Sequence, residues 1–159
     1  MLITHIHLHH ISLPYVHPFE TSFGRELSRE AILVAVESDG LLGWGECVAG
    51  RGPWYSYETV GTAWHLLHDF LAPALLGHEL SQPADVVARF SRVRGHAMAR
   101  ASLESAVWDL FGRVEGRSLA GMLGGMRPAV PVGVSVGIEP TLEELLAQVE
   151  GYVAAGYAR

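Results

Sequence analysis

Residues 130–155 constrain the fold most. Val130-Pro131-Val132-Gly133-Val134-Ser135-Val136-Gly137-Ile138 reads as a buried strand, and Thr141 to Ala155 reads as a helix. Gly156-Tyr157-Ala158-Arg159 then reads as the approach to another strand. A strand that runs into a crossover helix needs a second parallel strand to pair with. The expectation is therefore the front portion of a larger α/β barrel, with only its first β/α unit present.

The residues before this unit follow other periods. Residues 2–13 alternate, with Ile6 and Leu8 on one side and His5, His7 and His9 on the other, which is a half-buried strand ended by Pro14. Residues 15–28 hold Pro18, Gly24 and the rings of Tyr15, Phe19 and Phe23, and read as a loop with hydrophobic content. Ala31 to Val36 is a second strand, Asp39-Gly40 a two-residue hairpin turn, and Leu41 to Val48 the returning strand. A three-stranded antiparallel meander results. Residues 49–55 form a second aromatic loop, rich in glycine and proline.

Helical spacing then takes over. Ser56 is the expected N-cap of a helix to about Leu71, with Glu58 in its positive first turn and Val60, Ala63, Trp64, Leu67, Phe70 and Leu71 on its apolar side. Pro73 and Gly77 break it, and Pro83 opens a short helix through Phe90. The clearest helix runs over 97–114, with the stripe Ala99, Leu103, Ala106, Val107, Leu110, Phe111 and Val114 and a C-cap at Gly116. Ser118 to Leu123 is one more short helix, closed by Gly124-Gly125. Thr141-Leu142-Glu143-Glu144 is a capping box, and Leu142, Leu145, Leu146, Val149 and Val153 are the expected buried face of the last helix.

Composition excludes several functions. The formal charge is −6 with no run of like charges, so nucleic acid and anionic membrane are not expected partners. One cysteine excludes an internal disulfide, and with no signal peptide or apolar span a cytoplasmic location is expected. All eleven basic residues are arginine. Arginine stays protonated, so lysine proton transfer and Schiff-base chemistry lie outside the reach of this chain alone.

Each polar constellation has a plain reading beside a chemical one. His5, His7 and His9 share a strand face, but residues two apart on a strand stand about 6–7 Å from each other. Three nitrogens at that spacing do not converge on an ion at about 2.0–2.1 Å, so a solvated face is expected. His65, His68 and Asp69 share a helix face and read as a wet surface. Glu104 and Asp109 do not stack and read as surface or interhelical hydrogen-bonding groups. Cys47, inside a strand, reads as a buried inert thiol. Gly43-Trp44-Gly45 lacks the third glycine and the helix of a phosphate-binding motif. The two aromatic loops leave the same end of the meander. They could close over a ligand and shut out water, or simply pack against helices, and both readings stand.

Pro18-Phe19-Glu20-Thr21-Ser22-Phe23-Gly24, Gly43-Trp44-Gly45-Glu46-Cys47 and Pro53-Trp54-Tyr55-Ser56 belong to a further pattern. So do Gly95-His96-Ala97-Met98-Ala99, Trp108-Asp109-Leu110, Leu123-Gly124-Gly125 and Val132-Gly133-Val134-Ser135-Val136-Gly137-Ile138. In order and spacing, from about residue 10 onward, the set resembles the amino-terminal part of the o-succinylbenzoate synthase / N-acylamino acid racemase group. That group is in the muconate-lactonizing branch of the enolase superfamily.

The resemblance implies an α+β capping domain over residues 1–125, followed by the first β/α unit of a TIM-type barrel over 126–159. It implies substrate contacts from Phe19, Thr21, Ser22 and Phe23 on the first loop, Tyr55 on the second, and Ser135 at the end of the first barrel strand. Gly50 and Gly52 depart from the bulkier apolar residues common in the second loop. The implied chemistry is removal of a proton α to a carboxylate by lysine, with Mg²⁺ stabilising the enediolate. The implied lysines lie just past Gly-Tyr-x-Arg and the metal ligands later still. Catalytic and metal-binding residues are thus expected outside these 159 residues, and the chain alone is expected to be inactive. A small carboxylate substrate and a homo-oligomer are the implied partners. The alternative is a non-catalytic binding or assembly module that self-associates through its unpaired barrel segment.

Overall fold

The computed structural model describes residues 1–22 and 24–157. The chain divides into two compact units, one of Met1–Leu13 with Arg29–Gly125, the other of Pro14–Ser28 with the chain from Met126 onward.

The first unit is a three-stranded sheet faced by helices. Strands β1 (His5–Thr21), β2 (Gly24–Ser38) and β3 (Leu41–Cys47) lie in the order β1-β2-β3. β2 and β3 are antiparallel, from Ile32↔Cys47 to Ser38↔Leu41. Asp39 (φ 49°) and Gly40 (φ 77°) make the tight turn with both residues left-handed, the geometry that matches strand twist. Ile32, Val34, Val36 and Cys47 point inward and are fully buried, while Ile6 and Leu8 pack against the same core. On the outer face the His5, His7 and His9 rings stack at 6.1 and 6.4 Å, and His9 continues onto Trp44 at 6.3 Å. This is the solvated imidazole row that alternation implied.

The helix α4 (Ala97–Glu115) lies directly on β3. A Cβ at Gly43 would stand 2.2 Å from the Ala106 carbonyl oxygen, and one at Gly45 would stand 2.0 Å from that of Ser102. Only glycine admits so close a helix backbone. The contact also serves the edge of the sheet: the Trp44 N–H, facing away from β2, donates to Asp109 Oδ2 at 2.8 Å. Arg113 Nε reaches the same oxygen at 2.8 Å. Asp109 thus bonds a strand and its own helix, where a surface or interhelical role was expected.

The remaining helices close the core. α1 (Val60–Leu66) starts from Thr59, not Ser56; Thr59 and Thr62 cap each other reciprocally, and Ser56 Oγ instead accepts the Glu58 N–H. Pro73 does not break the helix. A π-helical turn over Leu67–Leu71 leads into α2 (Ala72–Leu75), and the Ala72 N–H reaches back five residues to the Leu67 carbonyl. The wider turn relieves the clash a proline ring makes with the carbonyl four residues before it. Val60, Ala63, Leu67, Leu71 and Leu75 are buried, whereas Trp64, Phe70 and Val114 are more exposed than their stripes suggested. α3 (Asp85–Arg89) is shorter than read, its start held by Asp85 accepting the Ser81 and Gln82 N–H groups. α5 (Leu119–Met122) starts from Ser118 as expected.

The second unit departs most from the sequence reading. β1 does not stop at Pro14, and residues 15–21 and 24–28 are strand, not loop. The strand runs on through Pro14 and Pro18 to Thr21, and the chain returns as β2. β1 is an edge strand, the place in a sheet where proline is tolerated. Val130–Ile138 was expected to be a buried strand. It has no ladder and Val130, Val132, Val136 and Ile138 are exposed, because no strand in the described residues pairs with it. α6 (Leu142–Ala154) forms where expected, with Thr141 Oγ1 accepting the Glu144 N–H. Its expected buried face is not buried: Leu142 is 69% and Val153 65% exposed, as no element within this unit covers it.

The glycine contact is testable. Gly45→Ala is expected to lower stability by roughly 2–3 kcal/mol through overpacking against α4. Gly61→Ala, whose Cβ would meet nothing closer than 3.8 Å, should be neutral or stabilising. Chemical denaturation of both variants measures this; equal midpoints would dismiss the close-approach argument.

Candidate functional site

The base of the candidate site is built at one end of the sheet. β3 ends at Cys47, beside Ile32, where the hairpin of β1 and β2 runs on. Glu30 on β2 holds His10 of β1 at 3.2 Å and Arg51 of the next loop at 3.5 Å. Arg29 donates to the Val48 carbonyl. Arg29 and Glu30 thus brace the start of the loop after β3 against β2.

The loop after β3 is pinched into a closed neck. Gly50 and Thr59 form a parallel bridge, and the Val60 N–H donates to the Gly50 carbonyl at 2.8 Å. At the crest Tyr55 is 88% and Trp54 75% exposed. Gly52 makes room for this: a Cβ there would stand 2.5 Å from Trp54 Nε1, so the indole lies across the glycine. The lid reading of this loop needs rings that face outward, and these do. The packing reading does not hold for Trp54 and Tyr55 within this unit.

The other expected contacts lie in the second unit. Phe19 is exposed and its ring meets Tyr15 at 6.2 Å, tilted by 40°. Thr21 Oγ1 donates to the Gly24 carbonyl at 3.3 Å, and Ser22 is exposed in the turn. Ser135 is exposed in the segment before α6. Phe23 lies outside the described residues. The structure gathers Phe19, Thr21 and Ser22 on one hairpin end, with Tyr55 and Ser135 each on a segment of its own.

Other polar groups carry less chemistry. Burial pushes the Cys47 thiol up, so it stays protonated and inert. Asp69 draws in both neighbouring histidines, His68 Nδ1 at 2.5 Å and His65 Nδ1 at 2.6 Å. The His68 hydrogen bond, then that of His65, holds its carboxyl below the usual range. Among the described residues no three His, Cys, Asp or Glu side chains gather in a way that could hold a metal ion. Mg²⁺ needs several oxygen ligands in octahedral array. The residues here do not fit such an ion.

Two side chains have partners the sequence reading did not foresee. Glu58 is only 2% exposed, and its carboxylate accepts the N–H groups of Met98 and Ala99 at 2.9 and 3.1 Å. Tyr57 Oη accepts the His96 N–H at 3.1 Å. The signal was an acid beside a helix start, but the helix it serves is α4, not its own.

The family model of the mandelate racemase / muconate lactonizing enzyme N-terminal domain matches residues 5–124. The chain belongs to this family. Among relatives, the o-succinylbenzoate synthase of Geobacillus kaustophilus is 48% identical over 158 residues, 99% of this chain and 42% of that protein. The N-succinylamino acid racemase of Amycolatopsis sp is 43% identical over 159 residues, 100% of this chain and 43% of that protein. A solved mandelate racemase/muconate-lactonizing-type enzyme from Roseovarius nubinhibens, complexed with magnesium, superimposes with a TM-score of 0.83 at 36% identity. That match covers 99% of this chain and 43% of the other. The chain thus corresponds to the amino-terminal portion of such enolase-superfamily proteins and spans about two fifths of their length. The α+β fold of the first unit is the capping fold of that family.

Asp69 gives a pH test. A carboxyl whose folded pKa is depressed stabilises above the unfolded value, and that contribution is lost as pH falls through the folded value. Between about pH 5 and pH 2 the native chain should lose stability more steeply than Asp69→Asn. Urea midpoints across that range check it; parallel slopes would remove Asp69 from the acid response.

Proposed function

We propose that residues 1–125 are the substrate-covering domain of a cytoplasmic, Mg²⁺-dependent enzyme, and that residues 126–159 begin its barrel. The substrate class is a small carboxylate: an o-succinylbenzoate precursor, an N-acylamino acid, or both. The observation that carries this reading is the 48% identity to an o-succinylbenzoate synthase across nearly the entire chain. The outward rings of Trp54 and Tyr55 support it, since a lid must present apolar surface to what it covers. Phe19, Thr21, Ser22, Phe23 and Ser135 are proposed as further substrate contacts.

In this role the chain's residues bind, orient and exclude water. Apolar rings closing over a carboxylate's side chain strengthen every electrostatic contact beneath them. Proton abstraction and enediolate stabilisation are assigned to lysines and carboxylates outside this segment. The isolated 159-residue chain should therefore give no succinylbenzoate from its precursor with Mg²⁺ present, by ultraviolet assay. Turnover by the isolated chain would overturn that division of labour.

A second reading is favoured by one observation. The α6 face of Leu142, Leu146, Val149 and Val153 is exposed. As an isolated module the chain would cover this face with a second copy of itself. Light scattering should then detect a dimer or larger species that Leu146→Glu returns to monomer. A monomer at all concentrations would eliminate this reading.

A further inference from the structure

We propose that Tyr57 and Glu58 are positioning residues that clamp the Trp54–Tyr55 loop onto the amino end of α4, and so set where Tyr55 meets a substrate side chain. The inference rests on the lid reading given above. Its physical basis lies in how α4 begins. The first N–H groups of a helix have no partner within it and are usually satisfied by a side chain at the N-cap. Here the N-cap is His96, in a left-handed conformation (φ 52°) with no side-chain cap of its own. The cap comes instead from a residue 40 positions away: Glu58 Oε1 accepts from Met98 and Oε2 from Ala99. A carboxylate on a helix N-terminus forms charge-assisted bonds reinforced by the helix dipole.

Tyr57 adds a second tie beside the first. Its ring stands edge-on to that of His96, with centroids 5.9 Å apart and planes at 81°. Gly95 (φ 65°) leaves room for the phenol, since a Cβ there would come within 3.1 Å of Tyr57 Oη. A local Ser or Asp at position 96 would have capped α4 without involving the loop. The long-range cap does both jobs. Tyr55 is two residues from Tyr57, within about 7 Å along the chain. Its side chain is 88% exposed, so its position is inherited from this clamp.

Hydrogen exchange on the 159-residue chain tests the clamp without any activity assay. Tyr57→Phe and Glu58→Gln should each speed exchange over residues 50–57 about tenfold, with residues 103–115 of α4 unchanged. Tyr57 is 64% exposed, so loss of its hydroxyl does not threaten folding and keeps the test valid if Glu58→Gln fails to fold. A folded Tyr57→Phe chain with unaltered exchange over 50–57 would overturn the clamp. In the complete enzyme, both variants should raise KM for N-succinylamino acids severalfold, by amounts that depend on the side chain, with kcat little changed. Faster exchange with unmoved KM would leave the clamp intact and overturn the lid reading and the specificity role with it.

Discussion

The first unit depends on one close approach, the backbone of α4 laid against the backbone of β3. At Gly43 and Gly45 no side chain intervenes, and the carbonyls of Ser102 and Ala106 occupy the space where Cβ atoms would be. Ala106 and Leu110 beyond them are fully buried, as is the stripe that continues through Leu103 and Val107. Apolar burial supplies the attraction, and the glycines set the distance. The Trp44–Asp109 bond then satisfies an edge N–H that would otherwise face a helix without a partner.

That contact fixes more than a core. Because α4 sits on β3, its amino end lies beside the loop that leaves β3, and Glu58 can reach it. At the other foot of the loop, Arg29 and Glu30 tie Val48 and Arg51 to β2. A loop with two exposed aromatic rings would otherwise fold them onto the nearest apolar surface. Anchored at both feet, it holds them outward, at the cost of two large rings in water.

How much of this was legible in the sequence follows from which interactions are local. The Asp39-Gly40 turn, the α4 stripe and the Thr141 and Ser118 caps depend on residues a few positions apart, and each was readable. So was the outward histidine row, which needs only strand alternation. Pro14 and Pro18 misled because proline is tolerated in an edge strand, and β1 is one. Pro73 misled for a related reason: a π-helical turn absorbs a ring that an α-helix would not. Gly43 and Gly45 were weighed against phosphate binding, while their true partner lay some sixty residues on. Glu58 was assigned to the adjacent helix because its actual partners, Met98 and Ala99, are distant in sequence. For the site, Trp54 and Tyr55 were legible as aromatics of a loop that could either cover a ligand or pack inward, while the hold of Tyr57 and Glu58 on that loop was not legible.

The stretch from Met126 to Tyr157 presents the opposite case, in which a local strand pattern forms no ladder. Val132, Val134 and Val136 alternate as a strand should, yet a strand exists only through its ladder, and among the described residues no strand pairs with them. α6 can form alone because its hydrogen bonds are internal, and its capped start helps. Its apolar face still gains nothing until another surface meets it. The two elements are therefore unequal: the helix is self-sufficient in backbone bonding, the strand is not. Any polypeptide that supplies a parallel neighbour to Val130–Ile138 would gain ladder hydrogen bonds and cover α6 in the same step. Burial and pairing are then one event, which is why a β/α unit is cooperative with its neighbours rather than stable by itself.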